Sequence, residues 1–66
     1  MAIKAFLEDN RTDGIFPVDV DISEKNGKTH LAVGRKGVTL MTLTIDTDKL
    51  TDGLMQAVVR DTEIQN

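Results

Sequence analysis

Apolar and polar residues alternate along most of the chain up to Ile45, and the spacing then changes to that of a helix. Ile3, Ala5 and Leu7 alternate with Lys4, Phe6 and Glu8, which predicts a first strand over 2–8. The polar cluster Asp9-Asn10-Arg11-Thr12-Asp13-Gly14 ends in Asp-Gly, a turn signal. A second strand is predicted from Ile15 to Ser23. Val18, Val20 and Ile22 make one face and Asp19, Asp21 and Ser23 the other, as in a half-buried antiparallel strand. Pro17 has no amide donor, which predicts either an edge position or a late entry into pairing.

Asn26-Gly27 lies between two alternating runs and predicts a two-residue hairpin turn with positive φ at both positions. Counting outward pairs Lys25 with Lys28, Ser23 with His30, Ile22 with Leu31 and Val20 with Val33. The next turn, Gly34-Arg35-Lys36-Gly37, admits two registers. A two-residue turn would send Val38 and Leu40 to the core and waste Met41, Leu43 and Ile45. A three-residue loop, Arg35-Lys36-Gly37 with a bulge, sends the three larger residues inward, and this register is expected. It pairs Val33 with Thr39, Leu31 with Met41 and Ala32 with Leu40. Val38 and Leu40 then fall on the outer face, with Phe6 also turned away from the Ile3/Ala5/Leu7 side.

From Asp46 onward Leu50, Leu54, Ala57 and Val58 recur at helical spacing, with Met55 and Val59 widening the stripe. Thr47 or Asp48 can cap this helix, and a later start at Thr51 would put Gly53 in its first turn. Residues 61–66 are polar and are expected to fray. The expected fold class is α+β: a four-stranded, mostly antiparallel meander sheet followed by one C-terminal helix packed on one face, as a single domain over 1–66.

With 66 residues, the chain sits where one apolar core rarely supplies more than ~3–5 kcal/mol. Disulfides cannot make up the difference because there is no Cys, and a zinc site lacks thiolates and has His30 as its sole imidazole. Phe6 and Phe16 are the only aromatics. What remains is aliphatic packing and a second subunit, so self-association is expected. The start, Met-Ala-Ile-Lys-Ala-Phe-Leu-Glu, does not read as a signal sequence, and no apolar run approaches the ~20 residues that cross a bilayer. A cytoplasmic protein with no membrane partner is expected. The net charge of −3 argues against tight non-specific binding of nucleic acid, which needs a basic surface.

The hairpin register places Ser23 opposite His30 with Asp21 diagonal to them. A flat strand face offers such a trio neither an oxyanion site nor a cleft, so it reads as the polar side of a hairpin. Asp19/Asp21 and Asp46/Asp48 are Asp-x-Asp pairs, but the second fails as a calcium loop because Lys49 intrudes and the glycine and glutamate are misplaced. No metal, cofactor or catalytic residue is expected. Val33-Gly34-Arg35-Lys36-Gly37-Val38 resembles the Gly-x-x-Gly loop of KH domains, which clamps a nucleic-acid backbone. In that family the loop joins two helices; here both flanks are strand-like, so the resemblance ends at the loop. It reads as a hairpin tip with Arg35 and Lys36 as candidate phosphate contacts. Phe6, Ala32, Val38 and Leu40, apolar on the outer side, are the candidate protein interface.

The expected function is therefore a small non-enzymatic interaction module, a homo-oligomer that acts by binding another protein, with inhibition as one effect that binding can have. Its size and plainness match accessory proteins of phages and other mobile elements. The alternative is a weak nucleic-acid-binding module using the basic tip between Gly34 and Gly37.

Overall fold

The structure, a computed structural model, describes residues 1–65, with side chains through Arg60; the fraying expected over 61–66 lies outside the residues so described. The strands β1 (Ala2–Asp9), β2 (Gly14–Lys25), β3 (Lys28–Arg35) and β4 (Val38–Asp46) precede one helix, α1 (Thr47–Gln65). The strands form a single antiparallel sheet in the order β1-β2-β3-β4, so the α+β meander is as expected.

The β2–β3 hairpin has the register that Asn26-Gly27 dictates, with Lys25 opposite Lys28, Ser23 opposite His30 and Val20 opposite Val33. Asn26 and Gly27 take φ of 55° and 78°, the left-handed pair that this turn needs. Pro17 is tolerated in a central strand because β3 pairs with β2 only from Asp19 onward; opposite Pro17 on the other side stands Phe6 of β1.

The β3–β4 connection differs from the expectation. It is a two-residue turn, Lys36-Gly37, with φ of 54° and 78°, and Arg35 faces Val38 directly. A bulge follows: Gly34 faces Thr39, but Val33 faces Met41, so Leu40 is the extra residue. The bulge resolves the conflict between the two registers. The tight turn forms, and one extra residue then restores Met41, Leu43 and Ile45 to the side of Val33, Leu31 and Thr29. Ala32 consequently stands opposite Thr42 rather than Leu40, and Val38 shares the side of Arg35 rather than the outer face.

Paired residues share a face, so the register assembles one apolar side across all four strands. Ile3, Ala5 and Leu7 of β1 stand opposite Val20, Val18 and Phe16 of β2. Val20 and Ile22 continue to Val33 and Leu31 of β3, and these to Met41 and Leu43 of β4. Val18, 6% exposed, is the only buried apolar side chain among the described residues.

The helix begins at Thr47, directly after the last residue of β4. Its first turn is tied to the sheet. The Thr47 amide donates to the Gly27 carbonyl at 2.9 Å, and the hydroxyls of Thr47 and the buried Thr29 hydrogen-bond at 2.8 Å. Leu50 is half-buried, but every side chain from Thr51 to Arg60 is exposed. The helix thus meets β3 and β4 at its start and does not lie along the sheet face as its apolar stripe had suggested.

Candidate functional site

The two sides of the sheet have opposite characters. On the polar side Lys4 reaches Asp19 at 2.6 Å, the Met1 amino group reaches Asp21 at 3.3 Å, and Lys28 reaches Asp46. Cross-strand charge pairs of this kind hold register but add little stability when exposed. Lys28 holds the Asp46 carboxyl below the ordinary carboxylate range, first by its hydrogen bond and then by its charge; Lys49, 3.6 Å away, adds to this against the opposing effect of burial. At the β1–β2 turn Arg11 lowers Asp9 in the same way, through a side-chain and a backbone hydrogen bond.

The Ser23–His30–Asp21 trio is not wired as a relay. Ser23 and His30 are opposite each other, but His30 Nδ1 hydrogen-bonds to Thr44 Oγ1 at 3.0 Å, and the Asp21 carboxylate is engaged by the chain's own amino terminus. Asp19 and Asp46 are each engaged by a lysine, and no three His, Asp or Glu side chains converge among the described residues.

Arg35 and Lys36 are exposed at the β3–β4 end, with Lys36 in the turn itself. The Arg35 guanidinium lies 5.3 Å from the centroid of the Phe16 ring. That cation–π contact covers one face of the guanidinium and leaves its in-plane N–H donors, which a phosphate would meet, at the edge. A shallow depression of ≈ 200 Å³ opens beside it, lined by Lys4, Pro17, Val18, Asp19, Arg35 and Lys36.

The four residues expected to form an outer apolar patch are not brought together. Phe6 lies in β1 and Leu40 in β4, the two edge strands, about 14 Å apart by strand spacing. Ala32 is half-buried in β3. Phe6 instead neighbours Pro17, directly opposite, and Ile15, two residues before it; Phe6 and Ile15 are 73% and 62% exposed.

The larger apolar surfaces are ones the sequence had assigned to the core. Met41 and Leu43 are more than half exposed on the apolar sheet face. On α1, Leu54, Met55, Val58 and Val59 are all more than half exposed, and they line shallow open depressions along the helix. The periodicity located both surfaces correctly; what it could not show is that they do not meet within one chain.

These features define a small α+β protein, one sheet and one helix, whose two complementary apolar surfaces stand apart. Comparison with protein-family models, curated proteins and solved structures gives no match for the chain. Among the described residues, no helix is long and apolar enough to cross a membrane.

Proposed function

We propose that this chain is a non-enzymatic protein-interaction module that self-associates and acts by binding another protein in the cytoplasm, inhibition being one effect such binding can have. The observation that carries the reading is the apolar sheet face: it spans four strands, opposes a charge-paired polar face, and is only partly covered by its own chain. Water-exposed apolar surface on this scale favours association, because joining two such surfaces removes both from water. Self-association on that face leaves the polar side, with Phe6, Pro17 and Ile15, for a foreign partner. A role as an accessory protein of a phage or other mobile element is supported by size alone.

The absence of enzymatic activity is supported by how the titratable groups are engaged: His30 with Thr44, Asp21 with the amino terminus, Asp19 and Asp46 with lysines. The nucleic-acid alternative would rest on Lys36 together with an Arg35 already stacked on Phe16. The test is molar mass by light scattering on a size-exclusion column, at about 0.05 M and about 1 M salt, which spans weak to strong screening. Apolar association gives a multiple of 7.3 kDa at both salts, and Leu43→Asp reduces it to the single-chain mass. A single-chain mass for the wild type at both salts would refute self-association.

A further inference from the structure

The helix and the sheet face each lack the cover that the other could supply. The chain's accessible surface is 5703 Å². A compact monomer of this mass would expose about 4,200 Å². The surplus, about 1,500 Å², exceeds the ~800 Å² per partner of a standard interface and lies in the range of obligate homodimers. The radius of gyration says the same in length: 14.3 Å, against about 11 Å for a compact chain of this size.

The junction between β4 and α1 prevents the chain from covering itself. Asp46 ends the strand and Thr47 begins the helix, with no residue between them for a reversal. The helix start is fixed from two sides, by the Thr47 amide on the Gly27 carbonyl and by the Thr29–Thr47 hydroxyl pair. These ties hold Thr47, the first residue of the helix, in place, so α1 leaves the sheet in a direction set at its start, and disturbing them would leave the buried Thr29 hydroxyl without its partner.

We propose that the occupant of the apolar sheet face is α1 of a second copy, in a two-fold dimer in which each helix crosses its partner's sheet. This rests on the self-associating reading above and specifies its geometry. Nineteen residues of helix extend about 28 Å, enough to cross four strands about 14 Å from first to last. Leu54, Met55 and Val59 of one copy meet Ile22, Leu31 and Leu43 of the other. Because both surfaces are on every chain, one two-fold axis satisfies both at once and closes the assembly at two. Stacking two sheets face to face would cover the sheets but leave both helical stripes in water.

The experiment is an isotope-filtered NOE measurement on an equal mixture of labelled and unlabelled wild-type chains, with light scattering on the wild type and on Met55→Asp. Met55 is 63% exposed in the single chain, so the substitution leaves the fold of that chain intact. The expected results are a wild-type mass of twice 7.3 kDa, cross-peaks between copies joining the methyls of Leu54, Met55 or Val59 to those of Ile22, Leu31 or Leu43, and loss of the dimer in Met55→Asp. A dimer whose inter-copy peaks run only from sheet to sheet or helix to helix overturns this geometry and leaves self-association standing. A wild type of single-chain mass overturns both.

Discussion

Two glycines offer the same chemical change with opposite expected signs. An added Cβ meets nothing within 4 Å at either Gly37 or Gly53, so alanine at each position tests the backbone alone. Gly37 holds φ at 78° in the Lys36-Gly37 turn. An L-residue there costs about 1 kcal/mol or somewhat more. Gly53 is inside α1, on the polar side with Asp52, Gln56 and Arg60, away from the apolar stripe. There alanine gains about 1 kcal/mol, because the unfolded chain has less freedom to lose. The two variants should differ by about 2 kcal/mol. With a slope near 1 kcal/mol per molar urea for so small a chain, their midpoints separate by about 2 M, the wild type between them. Urea titration followed by circular dichroism, at one fixed protein concentration, reads this directly. A destabilised Gly53→Ala would refute the reasoning. A Gly53→Ala that gains helix signal without a shifted midpoint would show that α1 folds apart from the sheet, contrary to its fixed start.

Val18→Ala removes two methylenes' worth of the only buried apolar side chain described and should cost roughly 1.5 kcal/mol in the same titration. Thr47→Ala removes the hydroxyl that satisfies buried Thr29 and should cost about 1–3 kcal/mol, while Thr29→Val in that background should recover part of the loss. Asp46 has a folded pKa below its unfolded one, so its contribution is complete above the ordinary aspartate value of about 3.9 and is lost as pH falls through the lowered value. Melting temperatures of wild type and Asp46→Asn should therefore differ at neutral pH and converge in acid; Asp9 is lowered too but is present in both chains and cancels. Lys36→Glu should leave the molar mass unchanged at both salts, since apolar association does not use the basic tip.

The hairpin around Asn26-Gly27 was legible to the residue because turn chemistry and alternation demand the same register. At Gly34–Gly37 they conflict: a bulge was expected within a three-residue loop, and the structure instead closes a two-residue turn and places the extra residue at Leu40. One extra residue reverses the sides of everything beyond it, which is why Val38 and Ala32 were given the wrong neighbours while Met41, Leu43 and Ile45 were given the right side. The candidate patch failed for a second reason. Joining Phe6 to Leu40 needs β1 beside β4, and strand order is a long-range property that the alternation within a strand does not encode. The stripe on α1 was equally plain. Its expected place on the sheet depended on a connecting loop that the Asp46–Thr47 junction does not contain.

The bulge at Leu40 also bears on how far such molecules can join edge to edge. An open sheet ends in two rims of backbone donors and acceptors, here on β1 and β4. If the rim of one molecule could zip onto the opposite rim of the next, each addition would expose a fresh rim, and the ribbon would lengthen without limit. An extra residue bends β4 and breaks the even spacing of its outer amides, so a straight strand cannot dock along its full length. The residue that rescues the register inside the molecule thereby limits the straight rim that β4 offers outside it to Met41–Asp46, a shorter template for a docking strand.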